Sequence, residues 1–141
     1  AAHKPVISFN GDGGIQMNIQ ELQFLVRENL PITVAILNNH ALGMIRGFQE
    51  ANFGKNYSLT TEGTGYSVPD FKKIAEAYGL GYSFIDSAEA LDSYKWSAGP
   101  QIVEIGLSVE TELKPNFGRN GLIQDQRPYL DRTFFKELMN L

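Results

Sequence analysis

Three glycines and one aspartate, Gly11-Asp12-Gly13-Gly14, follow the short apolar run VISF at residues 6–9. Glycine has no Cβ, so its backbone N–H groups can approach an anion closely and can adopt positive φ angles. The apolar spacing predicts a helix from Ile15 onward, and the partial positive charge of its N-terminus would point to the same place. The stretch therefore predicts a cradle for a phosphate group where a strand meets a helix.

A second pair of polar residues, Asn38-Asn39, ends the next apolar run at residues 32–37. Asp12 beside a phosphate would repel it, and a divalent hard cation would neutralise both charges. If the two strands are neighbours, Asp12 offers a carboxylate oxygen, Asn39 an amide oxygen, and a backbone carbonyl just beyond them a third ligand. This all-oxygen set suits Mg²⁺ shared with substrate phosphates.

Two common phosphate-binding motifs are absent from the sequence. A dinucleotide fingerprint beginning at Gly11 needs glycine where Gln16 stands, and no G-K-[ST] of a P-loop occurs. Each short motif also has a plainer interpretation. GDGG can be only a strand-to-helix turn, and Asn38-Asn39 can be only a turn signal. The presence of both, each at the end of an apolar strand, favours the site.

Strands and helices alternate along the predicted chain. The patterns predict strands at 6–9, 32–37, 82–85 and 101–107, and helices at 15–29, 42–53, 70–78, 88–98 and 131–139. Residues 54–68 and 108–130 are predicted to be loops. This order predicts an α/β fold, a parallel sheet covered by helices on both faces. Right-handed crossovers place the strand-to-helix loops at one edge of the sheet.

Composition limits the classes of protein. The chain has 141 residues, 43% of them hydrophobic and 20% charged, which is typical of one globular domain. The net charge of −4 argues against nucleic acid as the main partner, and no apolar run approaches the length needed to span a membrane. The absence of cysteine excludes thiolate chemistry and fits a cytoplasmic protein. The first strand begins so early that we expect a piece of a longer polypeptide.

The motifs, in order, resemble one family. GDG, followed after 24 residues by NN, is similar to the signature of thiamine diphosphate (ThDP)-dependent enzymes. The stretches GDGGIQMNIQELQFLVRENLPITVAILNNHALGMIRGFQ and PDFKKIAEAYGL resemble the C-terminal cofactor-binding domain of acetolactate synthase large subunits. The resemblance extends from about residue 6 to residue 107 and continues more weakly in the tail. It implies the ThDP-binding fold.

The resemblance assigns roles to individual residues. It implies that Mg²⁺ is held by the side chains of Asp12 and Asn39 and by the carbonyl of Ala41. The implied cofactor-binding residues are Gly11, Asp12, Gly13, Gly14, Ile15, Asn39, Ala41, Gly43 and Met44. Met44 and Phe48 are implied to line the catalytic pocket, although ordinary core packing is the plainer interpretation of both.

The implied activity is that of a ThDP- and Mg²⁺-dependent transferase or lyase. The thiazolium carbon of the cofactor attacks a 2-oxo acid such as pyruvate, CO₂ leaves, and the resulting carbanion adds to a second carbonyl. Three alternatives stay open: a simple 2-oxo acid decarboxylase of the same fold, a non-catalytic ThDP-binding subunit, and a flavodoxin-like or nucleotide-binding module that needs no metal.

The sequence departs from a complete acetolactate synthase. The activating glutamate of the family lies in an N-terminal pyrimidine-binding domain, so residues 1–141 are predicted to be a single C-terminal diphosphate- and Mg-binding domain, inactive alone. The family resemblance also implies a homodimer or homotetramer. Acetolactate synthases typically carry tryptophan where Phe48 stands. The tail, residues 108–141, is predicted to be extended with a short terminal helix and to cover the cofactor edge or a subunit contact.

Other polar residues have plainer predicted roles. His40 is predicted to lie in a surface loop rather than to act as an acid or base, and Arg46 to form an ion pair or face solvent rather than bind substrate. Asn38 is predicted to bond the backbone across the strand ends. Packing roles are predicted for Tyr57, Tyr66 and Tyr78.

Overall fold

The structure is a computed structural model that describes residues 4–97, 99–111, 116–117, 125–127 and 129–140. Within these residues the elements are, in order, β1 (Val6–Gly11), α1 (Asp12–Gln16), α2 (Leu22–Arg27), β2 (Ile32–Asn38), α3 (Gly43–Phe53), α4 (Phe71–Tyr78), β3 (Gly81–Ile85), α5 (Ala88–Ser93), β4 (Gln101–Gly106), β5 (Asn116–Phe117), β6 (Gln126–Arg127) and α6 (Arg132–Met139). Strands and helices alternate as far as β4, as the sequence predicts.

Four strands form a parallel sheet in the order β1-β2-β4-β3. β1 pairs with β2 up to Gly11 beside Leu37, and β2 pairs with β4 up to Asn38 beside Gly106. Because all four strands run in the same direction, their carboxyl ends lie at one edge. The two strands that precede the polar motifs are therefore direct neighbours.

One face of the sheet is closed by α1, α2 and α4. Alternate residues of a strand point to opposite faces, so every second apolar residue of β2 belongs to this core. The buried side chains of the cluster are Ile15, Leu22, Val34, Ile36, Phe71, Ala75, Leu80 and Ile102. This core fixes the segment after β1 against the sheet.

The opposite face carries a smaller core beneath α5. Ile85, Val103 and Ile105 are buried there, and Ala90 and Tyr94 pack against them. Helices thus lie on both faces of a parallel sheet, which confirms the predicted α/β fold class.

β1 is less buried than its sequence suggests. The apolar run at residues 6–9 predicts a buried strand, but Val6, Ile7 and Phe9 are exposed, Phe9 to 63%. β1 is an edge strand at the end of the sheet. The buried residues of the core beneath α5 come from β3 and β4, so α5 does not cover β1. The prediction of a fully covered β1 is therefore wrong for the described residues.

The helix predicted over residues 15–29 is broken. α1 begins three residues earlier, at Asp12, and ends at Gln16; a 3₁₀ turn, Ile19–Glu21, then leads into α2. The break lies at Asn18, whose φ of −132° and ψ of 29° leave the helical region. Asparagine favours such non-helical geometry because its side chain competes with helical backbone bonds.

The helix predicted over residues 88–98 is shorter, ending at Ser93. Tyr94 leaves helical geometry with ψ of 129°, and its hydroxyl donates to Ser83 Oγ at 3.2 Å. Packing of the tyrosine on the β3–β4 core thus replaces the last turns of the helix. Residue 98 lies outside the described residues.

The two predicted loops contain short ordered pieces. A 3₁₀ turn, Glu62–Thr64, lies within 54–68, and the two-residue strands β5 and β6 pair antiparallel in the tail. The predicted terminal helix is present as α6, capped by Asp131, whose side chain accepts from the amides of Thr133 and Phe134. Across the described residues, no helix has the length and apolarity that a bilayer crossing requires.

The Asp70 cap makes α4 sensitive to pH. Its carboxylate accepts from the amide of Lys73 at 3.0 Å, and this bond holds the pKa of Asp70 below its ordinary value. Because the folded pKa is lowered, the cap contributes fully above about pH 4 and is lost as the pH falls through the folded pKa.

We expect Asp70→Ala to lower the amide-exchange protection of α4 at neutral pH and to lose this difference from wild type in acid. Asp70→Asn is the matched control, since asparagine caps equally well without a charge. Its α4 protection should not weaken at the pH where the wild-type cap protonates. This prediction would be contradicted if the amide-exchange protection of α4 depended on pH in the same way in wild type and in Asp70→Asn.

Candidate functional site

Asp12 and Asn39 meet at the carboxyl edge of the sheet. The amide of Ala41 donates to Asp12 Oδ2 at 3.3 Å and to Asn39 Oδ1 at 3.2 Å, so both side-chain oxygens converge on one N–H group. The convergence expected from neighbouring strands is therefore present. It places a carboxylate oxygen and an amide oxygen side by side.

The Asp12 carboxylate is buried and well supported. It is 2% exposed, and its other oxygen, Oδ1, accepts from the amide of Gly13 at 2.7 Å and from the hydroxyl of Tyr66 at 3.3 Å. Burial raises the pKa of Asp12, and the hydrogen bonds from Gly13, Tyr66 and Ala41 oppose that rise. A cation at Oδ2 would favour the ionised form further.

Tyr66 contacts the site from a distant loop. Besides its bond to Asp12, its hydroxyl lies 3.5 Å from Gln16 Nε2, which also donates to the Asp12 carbonyl at 3.0 Å. Burial and the nearby Asp12 charge raise the pKa of Tyr66 to about 12, so the hydroxyl keeps its proton. The packing role predicted for Tyr66 is therefore incomplete. No local pattern links two residues 54 positions apart.

The loop that carries Asn39 is fixed by Asn38 and Glu104. Asn38 Oδ1 accepts from the amide of His40 at 3.1 Å, and Asn38 Nδ2 donates to Glu104 Oε1 at 2.7 Å. The second oxygen of Glu104 accepts from the hydroxyl of Tyr82 at 2.6 Å. Asn38 also accepts, through its carbonyl, from the amide of Leu107, as predicted for a residue that bonds backbone across the strand ends.

Glu104 was not among the residues singled out from the sequence. The available signal is an acidic residue within the apolar strand QIVEIG, since a carboxylate there needs polar partners. Those partners, Asn38 at the carboxyl end of β2 and Tyr82 near the start of β3, connect both strands to β4.

Ala41 is buried and pinned on both sides. It forms a β-bridge with Thr61. The amide of Leu42, the next residue, donates to the carbonyl of Thr60, and the amide of Gly43 donates to the carbonyl of Ala41 at 2.9 Å. A carbonyl oxygen has a second lone pair, so Ala41 can still offer a ligand. The Ala41 carbonyl thus belongs to a fixed backbone beside Asp12 and Asn39.

The glycines divide into packed and open positions. A Cβ at Gly13 would lie 2.5 Å from Leu42 Cδ2, and one at Gly43 would lie 3.1 Å from Asn39 Nδ2. At Gly11 and Gly14 a Cβ would meet no atom within 4 Å. Gly13 and Gly43 therefore allow close packing around the polar centre, whereas Gly11 and Gly14 leave open space where a ligand can approach the backbone.

The helix expected to point its dipole at this space is only five residues long. A five-residue helix supplies far less dipole than the long helix predicted over residues 15–29, so the backbone N–H groups themselves are the relevant donors. The side chain of Ile15 lies in the core, so only its backbone could contact a ligand.

Met44 and Phe48 lie one turn apart on α3 and are exposed, to 60% and 55%. Phe48 packs edge-on against Phe53, with ring centroids 5.9 Å apart. The ordinary core-packing interpretation is therefore wrong for both residues in this chain. Their role as pocket-lining residues stays a prediction.

Arg46 and His40 both contact carboxylates. Arg46 is nearly buried; it donates to the Val109 carbonyl and to Glu110, which ties the segment after β4 to α3. His40 lies in an exposed loop with Nδ1 3.0 Å from Glu62 Oε1, as predicted for a surface residue. The same residues border a cavity of about 390 Å³.

The donor set is what distinguishes this site. The described residues contain no cluster of three or more His, Cys, Asp or Glu side chains placed to hold a metal. One carboxylate oxygen and one amide oxygen lie together instead, and with the backbone carbonyl of Ala41 they would make a partial all-oxygen shell, which suits Mg²⁺ completed by phosphate oxygens and water. Together with the open space at Gly11 and Gly14, the residues fit a Mg²⁺-bound diphosphate.

Comparison with known sequences shows which family the chain resembles. The profile of the family described as "Thiamine pyrophosphate enzyme, C-terminal TPP binding domain" matches residues 1–105. The chain is 37% identical to the acetolactate synthase isozyme 2 large subunit of Escherichia coli over 72% of its length, and 36% identical to the acetolactate synthase large subunit of Lactococcus lactis over 80%. It spans only 19% and 20% of those two proteins.

A solved structure gives the same result for the fold. The thiamine diphosphate-dependent 4-hydroxybenzoylformate decarboxylase of Rhodococcus jostii RHA1 superposes with a TM-score of 0.55 and 25% identity, covering 77% of this chain and 20% of that one. Since the family profile covers most of the chain, the chain belongs to the family of C-terminal TPP-binding domains of thiamine pyrophosphate enzymes.

Proposed function

We propose that this chain holds the diphosphate of ThDP through Mg²⁺, as part of an acetolactate synthase-like enzyme that decarboxylates a 2-oxo acid and joins the remainder to a second carbonyl compound. The observation that carries the proposal is the convergence of Asp12 Oδ2 and Asn39 Oδ1 on the Ala41 amide. The acetolactate synthases among its relatives support the reaction class.

Each residue of the site has a defined task in this proposal. Asp12, Asn39 and the Ala41 carbonyl would hold the cation. The diphosphate would lie in the open space beside the backbone of Gly11 and Gly14. The bound cofactor supplies a carbon nucleophile and an electron sink for the loss of CO₂. The exposed side chains of Met44 and Phe48 would line the space for the substrate and exclude water from it.

A second candidate is a simple 2-oxo acid decarboxylase. One observation favours it: a structural relative is a 4-hydroxybenzoylformate decarboxylase. The resemblance to acetolactate synthases also implies a tryptophan where Phe48 stands, so the chain departs from them at this position. The two candidates share the same cofactor site and differ only in what happens after CO₂ is lost.

Product analysis separates the candidates. The full-length protein, incubated with pyruvate, ThDP and Mg²⁺, is expected to release CO₂ and to form a 2-hydroxy-2-methyl-3-oxo acid, measured by chromatography and mass spectrometry. Acetaldehyde as the main product would favour the decarboxylase. Absence of CO₂ release from pyruvate and from bulkier 2-oxo acids would leave a non-catalytic ThDP-binding subunit. Omitting Mg²⁺ is the control for cofactor dependence.

We also propose that the full-length protein supplies a pyrimidine-binding domain and assembles as a homodimer or homotetramer in the cytoplasm. The exposed apolar side chains of α3 and β1 support contacts with other parts of such an assembly, because large exposed apolar patches mark interaction surfaces. Size-exclusion chromatography with light scattering of the full-length protein measures the assembly directly.

A further inference from the structure

The two oxygens of the Asp12 carboxylate have different surroundings. Oδ1 accepts two hydrogen bonds, from the Gly13 amide at 2.7 Å and from the Tyr66 hydroxyl at 3.3 Å. Oδ2 faces Asn39 and shares with it the Ala41 amide. A carboxylate oxygen has two lone-pair positions, so Oδ1 is occupied by the protein while Oδ2 remains the oxygen on the ligand side.

The position of Tyr66 is itself well determined. Its amide donates to the carbonyl of Thr61, and Thr61 forms the β-bridge to Ala41. Its hydroxyl lies 3.1 Å from where a Cβ on Gly13 would stand, so the ring end is in close contact with the turn after Asp12. The loop that holds the Ala41 backbone therefore also delivers the tyrosine hydroxyl to Asp12.

We propose that Tyr66 is a positioning residue that keeps Asp12 a one-oxygen ligand and so favours Mg²⁺ over Ca²⁺. Mg²⁺ requires near-ideal octahedral geometry with short bonds, which single-oxygen carboxylate ligands satisfy. Ca²⁺ takes more oxygens and readily accepts both oxygens of one carboxylate. A carboxylate whose second oxygen is engaged by Gly13 and Tyr66 suits the smaller ion. This inference rests on the proposed cation site and adds its selectivity.

The test is a pair of titrations on the full-length protein. Wild type, Tyr66→Phe and Tyr78→Phe are titrated with MgCl₂ and with CaCl₂ at saturating ThDP, and binding is followed by calorimetry. Tyr78→Phe is the matched control, because it removes one hydroxyl from a half-buried tyrosine that packs on the core away from Asp12. Phenylalanine keeps the ring in both variants, and circular dichroism checks that both are folded.

We expect Tyr66→Phe to weaken Mg²⁺ binding about 10-fold, the usual cost of losing an outer-shell partner of a metal ligand. Ca²⁺ binding should stay within about twofold of wild type or become tighter, because Oδ1, although it keeps its bond from the Gly13 amide, gains a free lone-pair position that can join the larger ion's shell. Tyr78→Phe should change neither affinity.

Two results would overturn the inference alone: equal weakening of Mg²⁺ and Ca²⁺, which a merely structural role predicts, or no change in either affinity. Cation-independent ThDP binding by the wild-type protein would instead contradict the proposed function together with the inference that rests on it. The failure of one is thus distinguished from the failure of both.

Discussion

In the full-length protein, Asp12→Ala is expected to abolish Mg²⁺-dependent binding of ThDP. The substitution removes the only charged oxygen that the described residues place at the convergence point with Asn39. Loss of one partner from a buried charged pair typically costs about 3–5 kcal/mol, which is a factor of about 10² to 4 × 10³ in affinity. Titration of ThDP at fixed MgCl₂, followed by calorimetry, measures the change.

The control for Asp12→Ala is Asp92→Ala, which deletes an exposed carboxylate from α5, on the other face of the sheet. It should bind ThDP as wild type does. With Mg²⁺ removed by a chelator, wild type should lose its advantage and bind the cofactor no more tightly than Asp12→Ala. Unchanged ThDP affinity of Asp12→Ala in the presence of Mg²⁺ would refute the assignment of the site.

The second large effect concerns stability. Phe71 is the first residue of α4, is 2% exposed, and belongs to the core cluster with Ile15 and Leu22. Truncating a buried phenylalanine to alanine costs about 3–5 kcal/mol, because apolar surface is lost from the core and a cavity remains. We expect Phe71→Ala to lower the opening free energy of the β2 and β4 amides by that amount.

Hydrogen exchange on the full-length protein measures this opening strand by strand, so other domains do not obscure it. Lys72→Ala is the matched control, since it truncates an exposed side chain at the next position of the same helix. A change of less than about 1 kcal/mol in β2 and β4 would show that the core collapses around the smaller side chain.

The sequence was sufficient for the parts of the site that depend on local chemistry. Glycines and an aspartate after one apolar run, and asparagines after the next, indicate two strand ends with unusual side chains. The general geometry of parallel α/β sheets then brings those ends to one edge. The meeting of Asp12 with Asn39 depended in addition on β1 and β2 being neighbours, a condition that the sequence left open and that the structure meets.

Contacts between distant loops could not be predicted in the same way. Tyr66 reaches Asp12 only because the bridge between Ala41 and Thr61 folds the loop back over the turn after β2. The early end of α5 likewise depends on tertiary packing of Tyr94, which outweighs helical periodicity. The break at Asn18 instead reflects a local preference of asparagine that the apolar spacing does not show. Exposure of β1 reflects its edge position, which a continuous apolar run cannot reveal.

The chain of hydrogen bonds from Tyr82 through Glu104 to Asn38 extends across three strands of the sheet. It connects the outer strand β3 to the loop that presents Asn39, so we expect a shift of either one to affect the other. Energetic coupling between two sites is reciprocal. We therefore expect a ligand in the cofactor site to reduce the mobility of β3, at the opposite edge of the sheet. A substitution at Tyr82 would in turn change the affinity for that ligand without contacting it.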